Sequence, residues 1–168
     1  MKKELETIFL KALDQNQEKL FRICSIYSKD DEDAKDLFQE VLVHIWRSMS
    51  TFKANSNIGT WMFRIALNVC LRFKYKHTKN QKRFIRLDSV KLTNIGSVEN
   101  SEVENEKLNS LRKCLKELNE ADKAIVALYL ECVAYKEISI ILGLSENHVA
   151  VKIKRIKSKL LNCINKIL

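Results

Sequence analysis

Apolar residues recur at a period near 3.6 along most of this chain, and the polar residues between them supply helix starts and stops. Leu5, Ile8, Phe9, Ala12 and Leu13, continued by Leu20, Phe21, Ile23 and Cys24, predict a first helix over much of residues 3–28. Lys29-Asp30-Asp31 breaks it. A second helix then runs to about Ser48, with Ala34, Leu37, Phe38, Val41, Leu42 and Ile45 as its buried stripe and Asp33, Asp36, Gln39, Glu40 and His44 outside. A polar loop from Thr51 to Asn57 precedes a third helix, Ile58 to about His77. Its inward positions are Ile58, Trp61, Met62, Ile65, Val69 and Phe73, and Arg64, Asn68, Arg72, Lys74 and Lys76 face out.

The periodicity lapses over residues 88–100, where Ser, Asn and Gly96 mix with isolated apolar residues in the manner of a flexible linker. Ser101-Glu102-Val103-Glu104 has capping-box spacing ahead of a helix with Leu108, Leu111, Leu115 and Leu118 inside. Asn119 is suited to cap the next helix, which turns Ile125, Leu128 and Tyr129 inward. From Tyr135 to Leu160 two helices follow in close succession. Gly143 ends the first, because a helix stops most easily at a residue that tolerates a left-handed backbone, and Ser145 caps the second. Val149, Ile153, Ile156 and Leu160 anchor that second helix. Asn147, Val151, Lys154, Arg155 and Ser158 lie opposite, and Lys152, Lys157 and Lys159 flank them. The expected fold is all-α: two small helical domains, residues 1–87 and 101–168, joined by a flexible linker at 88–100. The C-terminal one is a helix-turn-helix of the kind that reads DNA.

Composition supports helix throughout, since the 168 residues contain no proline and only three glycines. Charge is distributed unevenly. The net charge of +9 conceals a block at residues 47–87 with ten basic and no acidic side chains, and a second basic block at 132–168, each preceded by a stretch with net negative charge. Two cationic segments divided by acidic ones suggest contact with a polyanion at two places and with a different partner through the acidic surfaces. Cys24, Cys70, Cys114, Cys132 and Cys163 are odd in number and widely spaced, with no Cys-x-x-Cys pair, so neither a disulfide framework nor a zinc site is expected. They read as small reduced residues on apolar stripes. No metal or other cofactor is anticipated. No apolar run approaches the ~20 residues that span a bilayer, and the N-terminus lacks the apolar core of a signal peptide, which points to a cytoplasmic protein without membrane insertion.

The run Asp33-Ala34-Lys35-Asp36-Leu37-Phe38-Gln39-Glu40-Val41, then Trp46, then Gly59-Thr60-Trp61-Met62-Phe63-Arg64-Ile65-Ala66-Leu67-Asn68, resembles the second conserved region of bacterial RNA polymerase sigma factors. The C-terminal half resembles their fourth region, and the short chain is similar to the extracytoplasmic-function (ECF) subgroup. The resemblance implies a non-enzymatic subunit that binds core RNA polymerase, directs promoter-specific initiation and is held in check by an anti-sigma factor. It assigns polymerase binding to Asp36, Gln39 and Glu40, an acidic face that phosphate would repel. It assigns single-stranded minus-ten DNA to Lys53, Asn55, Asn57, Arg64, Asn68, Arg72, Lys74 and Lys76, which combine amides for an unpaired base with a cationic track for its backbone. Trp61 is open to two readings, core packing or base stacking. The family's second tryptophan is replaced by Met62, which favours a narrow promoter set.

For the minus-thirty-five duplex the resemblance points to Asn147, His148, Ala150, Val151, Lys152, Lys154, Arg155 and Lys157. Ala150 and Val151 suit thymine methyls, whereas Lys154 and Arg155 suit guanine or phosphate. Asn147-His148 stands where the family often has Gly-Thr, so preference at the upstream edge of that element is expected to differ. A stand-alone helix-turn-helix regulator is the competing class. It would have no use for an acidic docking face beside a single-strand-binding segment. A nucleic-acid enzyme would need a carboxylate cluster for metal, which the acid-free block at 47–87 does not offer.

Overall fold

The computed structural model describes residues 1–77 and 102–168, with side chains at 1–73 and 105–168. The expected linker at 88–100 and the cap at Ser101 lie outside the described residues. Contacts divide the chain into two units, Met1–Lys91 and Leu92–Leu168, and the described residues of both are helical with no strand.

In the first unit α1 (Lys2–Tyr27), α2 (Asp31–Ser48) and α3 (Ile58–His77) pack on one another pairwise. Asp30 starts α2 by accepting the backbone N–H of Asp33 at 2.9 Å, as a capping carboxylate does. The α2 stripe read from the sequence is the centre of the core: Leu37, Val41 and Ile45 are wholly buried, and Ala34, Phe38 and Leu42 nearly so. Each such large side chain contributes about 1.5–3 kcal/mol of burial. Two stripes differ from expectation. Ile8 is 45% exposed, and α3 buries Met62, Phe63, Ala66, Leu67, Val69 and Cys70, leaving Ile58, Trp61, Ile65 and Phe73 only partly covered. The reason is that α3 packs against both α1 and α2, so its buried sector is wider than one apolar stripe and is rotated from it. Close approach is built in at Gly59, where an added Cβ would lie 2.9 Å from Asn16 Oδ1 on α1.

In the second unit α4 (Glu102–Glu117), α5 (Glu120–Leu130) and α6 (Tyr135–Leu142) each pack on the long α7 (Glu146–Ile167). Asn119 caps α5 through Asp122 N–H at 2.8 Å, and Ser145 caps α7 through His148 N–H at 3.1 Å. Gly143 closes α6 with φ 68°, the left-handed conformation that costs glycine least. Val149, Ile153, Ile156 and Leu160 are all buried, as the spacing predicts. On α4 the expected leucine stripe is turned. Leu108 is 37% exposed, whereas Ser110, Cys114 and Leu115 are buried, because α4 lies mainly against α7 and one neighbour covers only a narrow strip.

The cysteines require a correction. Cys114 on α4 and Cys163 on α7 form a disulfide with Cα atoms 5.9 Å apart, and Cys132 is exposed. Helix packing unites two residues 49 positions apart, and no local spacing signals that. Cys24 and Cys70 do behave as reduced core residues. Burial raises the Cys24 thiol well above its ordinary value and its hydrogen bond with Cys70 raises it further, so it stays protonated and inert.

Candidate nucleic-acid interface

Two faces of the first unit carry opposite chemistry. On α2, Asp36, Gln39 and Glu40 stand at i, i+3 and i+4 and therefore share a surface, with Asp36 exposed and the other two half-buried. Glu40 Oε1 also lies 3.3 Å from His44 Nε2. On α3, Arg64, Asn68 and Arg72 repeat every four residues and are all exposed. Lys74 and Lys76 continue into the last turns of α3, where only the backbone is described.

The loop before α3 starts from a single 3-10 turn, Met49–Thr51, and then turns at Ala54, whose φ is 55°. Lys53, Asn55 and Asn57 are exposed. Asn57 also begins α3, since its Oδ1 accepts the Gly59 N–H at 2.8 Å and its carbonyl accepts the Trp61 N–H at 3.1 Å. Its amide nitrogen and the second lone pair of Oδ1 are left for outward chemistry. Trp61 is half-buried and packs on Phe52 with ring centroids 5.1 Å apart, bracing the loop against the helix.

In the second unit α7 exposes Asn147, His148, Val151, Lys154 and Arg155, with Ala150 half-buried beside them. The flanking lysines are not equivalent to these. Lys152 Nζ reaches Asp122 Oδ1 at 3.2 Å and Lys159 Nζ reaches Asp122 Oδ2 at 2.6 Å, while Asp122 itself is 1% exposed. Lys157 Nζ sits 4.6 Å from the Tyr129 ring centroid, and a hydrogen bond with Tyr129 raises its pKa above 10.5. Burial pushes the Asp122 carboxyl up, but the hydrogen bonds from Lys159 and Lys152 outweigh it and hold the group below the ordinary 3.8. Sequence reasoning missed Asp122. Its one local sign is the Asn119-x-x-Asp122 spacing at the start of α5, whereas its lysine partners lie 30 and 37 residues away.

Among the described residues no helix is long and apolar enough to cross a membrane, and no group of three or more His, Cys, Asp or Glu side chains is arranged to hold a metal ion.

Comparison with known proteins follows the same division. Residues 12–80 match the family model for sigma-70 region 2 and residues 108–160 that for sigma-70 region 4. The ECF RNA polymerase sigma factor SigG of Mycobacterium tuberculosis is 46% identical over 39 residues, which are 23% of this chain and only 10% of that protein. Among solved structures, the sigma factor RpoE of Bartonella quintana, in complex with the anti-sigma factor NepR, aligns over 97% of this chain and 98% of its own at 20% identity and a TM-score of 0.67. CnrH, in complex with the cytosolic domain of CnrY, aligns over 96% of this chain and 90% of its own at 18% identity and a TM-score of 0.69. These two establish a shared fold. With regions 2 and 4 matched in order over most of its length, the chain belongs to the sigma-70 family of sigma factors.

Proposed function

We propose that this protein is a non-enzymatic, dissociable specificity subunit of bacterial RNA polymerase that acts in the cytoplasm and directs core polymerase to a restricted set of promoters. Asp36, Gln39 and Glu40 form the polymerase contact. Lys53, Asn55, Asn57, Arg64, Asn68, Arg72, Lys74 and Lys76 take the minus-ten element as a single strand. The exposed residues of α7, with Lys154 and Arg155 foremost, read the minus-thirty-five duplex. An anti-sigma protein is a further partner, a reading supported by the complex of RpoE with NepR.

The observation that carries this reading is the opposite chemistry of two faces within one three-helix unit. Asp36 and Glu40 on α2 suit a protein surface, and the acid-free run with exposed Arg64 and Arg72 suits phosphate. A regulator that bound only duplex DNA would need the second face and not the first. The test is reconstitution: core polymerase plus this protein should initiate from a discrete promoter class, identified by sequencing selected templates. Initiation no more selective than that of core polymerase alone refutes the function. Asp36→Lys with Glu40→Lys should weaken holoenzyme assembly while the protein stays folded, because Asp36 is exposed, Glu40 is only half-buried, and neither lies in the core. Unchanged assembly by the folded double variant refutes the docking role.

A further inference from the structure

Lys152, Arg155 and Lys159 stand at i, i+3 and i+7 on α7, so they line one edge of the helix beside exposed Val151 and Ser158. On sequence alone the two lysines would meet a DNA backbone, and Arg155 would meet guanine or phosphate. The structure divides them. Each oxygen of Asp122 takes one ammonium, Lys152 at 3.2 Å and Lys159 at 2.6 Å, and Asn119 Nδ2 donates to Oδ2 at 3.3 Å as well. Asp122 lies in the first turn of α5, where the helix dipole favours an anion and the cap geometry fixes its backbone. The carboxylate is buried while its lysines remain 30% and 56% exposed. An ammonium that left for a phosphate would strip a buried anion of its partner, and that loss costs more than one exposed phosphate contact returns. Among the described residues no carboxylate is paired with Arg155.

We propose that Asp122 is a positioning residue that sets the effective charge of the recognition helix: it withholds Lys152 and Lys159 from DNA phosphate and leaves Arg155 to act on that edge. The inference rests on the DNA-reading role of α7. Its consequence is a weaker general hold on DNA. Phosphate contacts strengthen binding to every duplex alike, so withholding two of them lowers the affinity and the salt dependence for every sequence together and leaves discrimination to the base contacts.

The test uses the reconstituted holoenzyme and two duplexes, a promoter it selects and the same length scrambled, with affinity measured against salt concentration. Asp122→Asn keeps the shape and the contact with Asn119 but releases the ammoniums. Binding to both duplexes should then become more salt-dependent, the slope of log K against log salt steepening by about one to two. The ratio of the two affinities should stay the same, because the added contacts serve both duplexes alike. An unchanged slope in a folded variant overturns the proposal, because a merely structural role would weaken binding without adding phosphate contacts. Should Asp122→Asn not fold, Lys159→Gln decides: the native slope is expected to persist, and a loss of about 0.9 would identify Lys159 as a phosphate contact and overturn the proposal. A native holoenzyme with equal affinity for both duplexes would instead refute the DNA-reading function itself.

Discussion

The two units bring cations to a surface by different means. In the first, the acid-free run from Arg47 to Leu87 leaves Arg64 and Arg72 exposed on α3 with the carboxylates of the unit on other segments. In the second, a buried acid holds surface bases: Asp122 is buried in α5 and draws two partly exposed lysines of α7 toward itself, and Lys157 leans on Tyr129. Local composition is therefore a fair guide to surface charge in the first unit and an overestimate in the second. The units also differ in how their helices are joined. The first has Cys24 and Cys70 as buried thiols, and the second has a Cys114–Cys163 cross-link and a buried carboxylate, Asp122, held by two partly exposed lysines.

The largest break of this comparison is in the first core. Phe38→Ala should cost about 3–5 kcal/mol, since Phe38 is 1% exposed and meets Phe21 edge-on at 5.6 Å. Denaturant unfolding followed in the intact chain should show the transition of the first unit shifted and that of the second in place. A common shift of both would mean that the units do not unfold separately.

Next in size is the cross-link. Cys163→Ser, or reduction, should lower the stability of the second unit by about 2–4 kcal/mol and leave the first unchanged. Thiol titration of the protein unfolded in denaturant without reductant should find three free cysteines, as the structure has; five would mean that packing of α4 on α7 does not need the bond.

Acid sharpens the contrast further. The folded pKa of Asp122 lies below its ordinary 3.8, so its contribution is complete above that value and is lost as pH falls through the depressed folded value. Stability of the second unit should drop in that window, because the hydrogen bonds from Lys159 and Lys152 favour the ionised carboxylate in the folded state. Asp122→Asn should remove this slope, and an identical acid profile in the variant would show that other carboxyls govern it.

The smallest effect on stability, and the most selective one on binding, is expected on α7. Arg155→Ala should change folding by about 0.5 kcal/mol or less and promoter binding by about 1–3 kcal/mol, with specificity relaxed at one base pair. Single-base variants of the upstream element measure it. A uniform loss across all of them would make Arg155 a backbone contact.

Much of this molecule follows from its sequence because the governing interactions are local. Helix α3 runs from Ile58 to His77 as its period predicts, and the Gly143 stop, the caps at Asn119 and Ser145 and the four-residue anchor of α7 involve groups within a few positions of each other. Hydrogen bonds and side-chain rows at that range are set by the helix itself. Which side of a helix is covered is a different matter. The rotated face of α3, the partly exposed Leu108 and the half-buried Trp61 depend on how many neighbours each helix meets. The Cys114–Cys163 bond and the hold of Asp122 on Lys152 and Lys159 join residues 30 to 49 positions apart. No local spacing encodes such pairs, since they form only once α4 and α5 have packed on α7. The sequence by itself determined the helices, their ends and the residue types available for the proposed polymerase and DNA contacts; only the tertiary structure decided which of those charges remain at the surface to be used.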